Sequence, residues 1–195
     1  MQEKLEENWK LGAVAAIAAG VILGMHQHKD DGFNKSPDLI REHPARVEAR
    51  NDVDHLSKVA MSKYKIKPEL AVHIATMAKK HEHPVFPKAK DLMAVIGIES
   101  SFNPNAKSRL KISPARGLTQ IRPEIWGLDH KKDLATPEQQ IAKSSEILAS
   151  YHKRLGGDDD AAVHSYNVGV TNYKRGTGLN PKYVDKFKNE RALYD

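Results

Sequence analysis

The chain has 195 residues, of which 39% are hydrophobic and 29% charged, and its formal net charge at pH 7 is +6. This composition excludes a wholly disordered chain and fits one globular domain with an appendage. It contains no cysteine, which excludes a disulfide framework and a thiolate metal site. Lysines and arginines are scattered among acidic residues without an arginine-rich block, so we expect no nucleic-acid partner.

An uncharged apolar run occupies residues 11–25 of the N-terminal segment, residues 1–30. As a helix it spans about 22 Å, short of the roughly 30 Å hydrocarbon core of a bilayer. Small residues recur every four positions along it, at Gly12, Ala16, Gly20 and Gly24. Such a seam lets two helices approach closely. We therefore predict a separate N-terminal hydrophobic helix that contacts a membrane or a partner helix. A partner helix could belong to a second copy of this chain, in a homo-oligomer, or to a larger assembly.

Residues 31–52 sustain no hydrophobic period and contain Pro37 and Pro44, which indicates a linker. From Val53 onward, apolar residues recur at helical spacing and the connections are short. This pattern predicts a mostly α-helical domain over residues 53–195, with a first helix from Val53 to Tyr64. A polar loop is predicted from residue 131 to residue 136, and a helix start at Thr136-Pro137.

A carboxylate lies on an apolar stripe of one predicted helix. The residues at positions i, i+3, i+4 and i+7 are Leu92, Val95, Ile96 and Glu99. Asn103 precedes Pro104, so the helix should end close to there. Glu99 would then lie where the core meets a cleft, and desolvation would raise its pKa, as a general acid requires near neutral pH. The same spacing also fits a glutamate that ends an amphipathic helix and points into water.

Four short motifs follow one another after this helix stripe. They are ESSFNPNAKS at residues 99–108, GLTQI at 117–121, SYNVG at 165–169 and YV at 183–184. In this order they resemble the signature of the soluble lytic transglycosylase family, whose members share a lysozyme-like, mostly helical fold with goose-type lysozymes. The resemblance runs from about residue 53 to the C-terminus. It implies a lysozyme-like helical domain that acts on peptidoglycan.

The resemblance also implies roles for individual residues. Glu99 would be the catalytic acid and then the base, cleaving the β-1,4 bond between N-acetylmuramic acid and N-acetylglucosamine with formation of 1,6-anhydro-muramic acid. The implied substrate-binding residues are Ser108, Gln120, Tyr166, Asn167 and Tyr183. The matched motifs contain no second carboxylate, so the substrate's own acetamido group would assist. Tyr166 can also be interpreted as a core aromatic residue with a locally satisfied hydroxyl, and Phe102 and Trp126 are predicted as core side chains.

Three departures from the family pattern fall between the first two motifs or within the second. SPA at residues 113–115 replaces a usual Gly-Ala, the loop that follows Ser108 is longer than usual, and Thr119 replaces a methionine. Ser108 and Ser113 therefore compete for the contact with the muramyl residue. The resemblance favours Ser108, which lies nine residues after Glu99, where the family motif places its serine.

The resulting prediction is a peptidoglycan lytic transglycosylase. It would lie in the cell envelope, or reach the envelope as a component of a virion. There it would open the wall for a membrane-associated or phage-injection assembly. One alternative is a hydrolytic muramidase of the same fold. Another is a structural channel or ejection protein whose domain only docks on the wall. No cofactor is expected. No metal is expected either, because the histidine pairs His26/His28 and His81/His83 lack a third ligand at a usable spacing.

Overall fold

The computed structural model describes residues 43–195, and residues 44–195 form one compact unit. The α-helices are α1 Pro44–Tyr64, α2 Pro68–Lys80, α3 Ala89–Ser100, α4 His130–Asp133, α5 Pro137–Arg154, α6 Asp159–Val168, α7 Val170–Arg175 and α8 Pro181–Arg191. Short 3₁₀ turns span Pro123–Trp126 and Ala192–Tyr194. The prediction of a mostly α-helical domain is confirmed. The hydrophobic helix predicted within residues 1–30 lies outside the described residues.

Helix α1 begins earlier than the sequence pattern predicted. It starts at Pro44 rather than Val53, so residues 44–52 of the predicted linker are helical. Proline suits the first helical position, where no backbone N–H is needed. The extra turns bury little apolar surface, but Asp52 pairs with Lys79 of α2 at 2.7 Å. A tertiary contact therefore accompanies a helical segment that lacks a hydrophobic period.

Helix α3 forms the centre of the domain and packs against α1, α2, α5 and α8. Its residues from Ala89 to Gly97, apart from Lys90, are buried. Gly97 lets side chains of α1 and α8 approach the backbone of α3 closely. A Cβ at this position would lie 2.4 Å from the hydroxyl of Tyr64 and 2.9 Å from Oε1 of Glu190. Those two side chains hydrogen-bond to each other at 2.7 Å, and Lys63 pairs with the same carboxylate. The back of α3 is thus covered by a polar contact between α1 and α8.

The helix start predicted at Thr136-Pro137 is confirmed by a reciprocal cap. The N–H of Gln139 donates to Thr136 Oγ1 at 3.2 Å, and the N–H of Thr136 donates to Gln139 Oε1 at 3.1 Å. The polar loop predicted just before it contains one helical turn, α4, because Oδ1 of Asp129 accepts a hydrogen bond from the N–H of Lys131 at 2.8 Å.

Phe102 is 1% exposed and belongs to the core, as predicted. The prediction for Trp126 is wrong, since this side chain is 40% exposed. Trp126 ends a 3₁₀ turn at the surface, and its ring centroid lies 6.0 Å from that of Tyr151. Within residues 43–195, no helix combines the length and the apolar composition needed to cross a bilayer.

Candidate active site

Glu99 lies in the last turn of α3, partly buried, on the stripe that the sequence predicted. The three apolar members of the stripe, Leu92, Val95 and Ile96, are completely buried. Burial disfavours the ionised carboxyl and raises the pKa of Glu99 from 4.5 to about 7. This pKa lets the side chain carry a proton, or release it, near neutral pH.

The chain turns sharply just after Glu99. Ser101 and Phe102 both adopt left-handed backbone conformations, with φ of 52° and 63°. Such conformations are costly for residues other than glycine, and strain of this kind concentrates at functional sites. The buried Phe102 ring offsets the cost, since it packs on the ring of Tyr64 with centroids 4.8 Å apart. Residues after 102 consequently leave α3 as a loop beside the carboxylate.

Tyr183, from α8, is the hydrogen-bonding partner of Glu99. Its hydroxyl donates to Glu99 Oε1 at 2.5 Å, and the side chain is only 7% exposed. Burial, followed by the negative charge of Glu99, raises the pKa of Tyr183 well above its usual value, so the phenol keeps its proton. The same hydrogen bond opposes the effect of burial on Glu99 by lowering the pKa of the carboxyl. Glu99 and Tyr183, which belong to the first and the fourth sequence motif, thus meet in space.

Tyr166, from α6, lies close enough to Glu99 to be affected by its charge. Its hydroxyl donates to the backbone carbonyl of Thr119 at 2.8 Å. Burial raises the pKa of Tyr166, and the negative charge of Glu99 raises it further. The hydroxyl is therefore satisfied within the protein, as the core interpretation predicted, and the charge of Glu99 reaches it, while the contact of Tyr166 with substrate stays a prediction.

The loop that carries Ser108 and Gln120 is closed by backbone hydrogen bonds. Ser108 and Ala115 exchange two hydrogen bonds of 2.9 Å, one of which ends on the Ser108 hydroxyl oxygen. The side-chain amide of Gln120 donates to the carbonyl of Gly117 at 2.9 Å and to that of Ala106 at 3.3 Å. Both predicted substrate-binding residues are thus oriented by their own loop.

Gln140 of α5 is a positioning residue that the sequence analysis missed. It is 4% exposed, and its Oε1 accepts from the N–H of Leu118 at 2.7 Å while its Nε2 donates to the carbonyl of Leu134 at 2.9 Å. Its backbone carbonyl accepts from the Thr119 hydroxyl at 3.3 Å. The available signal was its place on one helix stripe with the buried residues Ser144, Ile147 and Tyr151.

Asn167 and Ser113 make other contacts. Asn167 is exposed, and its Oδ1 accepts from Nδ2 of Asn180 at 3.0 Å. Within residues 43–195 no hydrogen bond joins Asn167 to Glu99. The hydroxyl of Ser113 donates to the carboxylate of Glu124 at 2.5 Å.

Two further carboxylates in the described region are buried, and both have basic partners. Asp91 pairs with Arg191 at 2.6 Å and lies near the start of α3, about 12 Å along the helix from Glu99. Glu190 pairs with Lys63. No group of three or more metal-binding side chains occurs among residues 43–195. Of these three carboxylates, Glu99 is the one that the described contacts leave without a cation.

Both the fold and the sequence of this chain have matches among known proteins. Among solved structures, the chain is similar to the 70 kDa soluble lytic transglycosylase of Escherichia coli, with a TM-score of 0.52 and 20% identity. The match covers 77% of this chain and 29% of that one, so the chain spans less than a third of that protein's length. A search of curated proteins finds no match. The family model described as the transglycosylase SLT domain matches residues 75–187, which is more than half of the chain and confirms the resemblance carried by the four motifs. The chain therefore belongs to the transglycosylase SLT domain family.

Proposed function

We propose that this protein is a peptidoglycan lytic transglycosylase that cleaves the β-1,4 bond between N-acetylmuramic acid and N-acetylglucosamine and forms a 1,6-anhydro-muramic end. Membership of the family supports both the enzyme class and peptidoglycan as the substrate. The observation that carries the proposal is the partly buried Glu99, whose pKa is raised to about 7 and whose Oε1 accepts a hydrogen bond from Tyr183.

In the proposed reaction Glu99 acts twice. As an acid it donates its proton to the glycosidic oxygen, so the bond breaks through an oxocarbenium-like state at the muramyl C1. The ionised Glu99 then accepts the proton of the 6-hydroxyl, whose oxygen closes the anhydro ring at C1. The proton returns to Glu99 and water is not consumed. Tyr183 stabilises the transient carboxylate through its hydrogen bond.

The surroundings of Glu99 favour a mechanism with one carboxylate. A pair of acidic groups is the usual arrangement in glycosidases, and a second acid close by would itself shift the pKa of Glu99. Burial and the Tyr183 hydroxyl account for that shift within the described region. The acetamido oxygen of the substrate is left as the group that stabilises positive charge at C1, as in other substrate-assisted enzymes.

The place of action is part of the same proposal. The enzyme would work in the cell envelope, or reach it as a virion component, and would open the wall locally for a membrane-associated or phage-injection assembly. The small-residue seam of residues 11–25 motivates this placement.

The test is mass spectrometry of the fragments that the purified full-length protein releases from cell walls. Products should end in 1,6-anhydro-muramic acid, lighter by one water than hydrolytic products. Glu99→Gln keeps the size of the side chain and can still accept from Tyr183 but cannot exchange the proton, so the rate should fall by roughly 10²–10⁴.

Glu146→Gln is the matched control, because this glutamate is exposed on α5 and, among residues 43–195, pairs only with Lys143. It should leave the rate unchanged, since exposed ion pairs contribute little. Reducing-end sugars as the main product would replace the proposal with a hydrolytic muramidase. Absence of any cleavage would leave a structural wall-binding protein.

A further inference from the structure

The stretch between Glu99 and Glu124 is strongly asymmetric in charge. Its cations are Lys107, Arg109, Lys111, Arg116 and Arg122, and it contains no acidic residue. Residues 107–116, which we call the basic loop, coincide with the segment that is longer than usual after the first motif. The roles assigned above to Glu99, Tyr166 and Tyr183 do not account for these charges.

The cations near the tip of the basic loop are exposed and have no anionic partner in the described region. Lys107, Arg109 and Lys111 are exposed and form neither a hydrogen bond nor an ion pair with any residue of 43–195. Arg116 is partly buried, and its charge acts on Glu124 and His130. Three like charges on one short segment repel one another, so an anionic ligand at this surface would relieve the repulsion.

The basic loop is an ordered frame and not a free tail. The N–H of Ser108 donates to the carbonyl of Ala115, and the N–H of Ala115 donates to the Ser108 hydroxyl oxygen. Nε of Arg122 donates to the carbonyl of Ser113 at 3.0 Å. Arg109 and Lys111 follow Ser108 by no more than three residues, so their backbones lie within about 10 Å of it. The unpaired charges are therefore held beside the predicted contact with the muramyl residue.

We propose that the basic loop binds the carboxylates of the stem peptides that muramyl residues carry, so that the enzyme prefers peptide-bearing glycan to glycan stripped of peptides. This inference rests on the proposed function. A stem peptide is attached to the muramyl lactyl group, so a muramyl residue that contacts Ser108 would bring the carboxylates of its peptide close to the basic loop. Guanidinium and ammonium groups are the side chains that bind carboxylates.

An anionic lipid surface is the competing ligand, because Leu110 is 52% exposed and Ile112 86% exposed between the same cations. The stem peptide is favoured by the position of the loop. Ser108 lies within the loop, and the two residues that flank the loop, Ala106 and Gly117, accept hydrogen bonds from the Gln120 amide. A ligand held there would therefore be part of the substrate that these residues are predicted to bind.

The test compares Arg109→Gln/Lys111→Gln with the wild type, both as full-length protein. One substrate is soluble glycan strands with intact stem peptides, and the other is the same strands after an amidase has removed the peptides. On peptide-bearing strands the double variant should have a kcat/KM that is lower by about two- to tenfold, because KM rises while kcat is unchanged. The effect is modest because exposed charge pairs each contribute little. Added salt should reduce this difference. On stripped strands the two proteins should react alike, which also shows that the variant is folded.

Lys58→Gln/Lys67→Gln is the charge-matched control, since it removes two exposed cations from α1 and the α1–α2 connection. It should leave the preference unchanged. Equal cleavage of both substrates by the wild type would overturn the inference and leave the proposed function intact, whereas no cleavage of either would defeat the proposed function itself. A loop variant that keeps the substrate preference but loses association with anionic vesicles would assign the surface to lipid instead.

Discussion

At the scale of single residues, the environment of Glu99 combines two opposing influences. Burial raises the pKa of the carboxyl, and the hydrogen bond from Tyr183 lowers it, with burial the larger effect. The result is a pKa of about 7, close to the pH at which a general acid exchanges protons most effectively. A change to either influence should therefore appear in the pH dependence of the rate.

Tyr183→Phe should move the alkaline limb of the kcat/KM profile to higher pH. Glu99 must be protonated to donate, so the rate falls as the pH rises through its pKa. Removing the phenol removes the influence that lowers this pKa, so the carboxyl keeps its proton to higher pH. The measurement is kcat/KM from pH 5 to pH 10, and kcat should also fall because the carboxylate loses a donor.

Tyr173→Phe is the control for this profile, because it removes a partly buried phenol from α7, where the ring packs against His164. It should leave the limb in place. A shift of the Tyr183→Phe limb to lower pH would contradict the proposed role of the hydrogen bond.

Ser108→Ala should lower activity more than Ser113→Ala. The hydroxyl oxygen of Ser108 accepts from the N–H of Ala115 at 2.9 Å, so the alanine variant also loses a loop contact beside the site. Ser113 instead bonds to Glu124. Rates on purified walls, with folding checked by circular dichroism, compare the two. The opposite order of effects would move the muramyl contact to Ser113.

At the scale of elements, the second motif depends on α5 for its shape. Gly117 has φ of +73°, and a Cβ there would lie 2.1 Å from Oε1 of Gln140. Only glycine fits this combination of left-handed backbone and close contact. The neighbouring carbonyl of Thr119 accepts from Tyr166, so displacement of Gln140 would be transmitted towards Glu99.

Gly117→Ala should destabilise the domain by about 2–5 kcal/mol. About 1–2 kcal/mol comes from the left-handed backbone. A further 1–3 kcal/mol follows if Gln140 moves and leaves the buried N–H of Leu118 without its acceptor. Urea unfolding measures the difference. Gly127→Ala is the matched control, since its φ is +63° but nothing lies within 4 Å of a Cβ, so only the backbone cost applies. An equal loss of unfolding free energy in the two variants would mean that the close contact with Gln140 adds no cost at Gly117.

At the scale of the whole molecule, residues 44–195 form a compact unit with its own core around α3. Glu99, Tyr183, Tyr166 and the loop that holds Gln120 all belong to this unit. We therefore assign the proposed chemistry to it, and the proposed membrane or partner contact to residues 11–25.

Deletion of residues 1–30 should leave wall cleavage intact and abolish co-flotation with liposomes. Co-flotation of full-length and truncated protein on the same vesicles measures the second effect. Gly20→Leu in the full chain should weaken helix association, because a bulky side chain keeps backbones apart. Full-length protein that never floats with lipid would refute the membrane contact.

Local signals in the sequence were sufficient for most of the helices and for the buried stripe that ends at Glu99. The hydrophobic period of a helix and its capping depend on residues within about one or two turns of each other. The sequence therefore predicts both the stripe that ends at Glu99 and the cap at Thr136. The order of the motifs was likewise sufficient for the family, which the family model confirms.

Tertiary structure alone decided how these pieces meet. Tyr183 reaches Glu99 across 84 positions of sequence, and Gln140 reaches Leu118 across 22. Neither contact produces a periodic pattern in the sequence. A hydrogen bond between two elements depends on how the helices pack and not on the residues next to it in the chain. The same reason explains why Trp126 is exposed. Its apolar side chain predicts burial, but its short turn packs against Tyr151 in a way that leaves much of the ring in solvent.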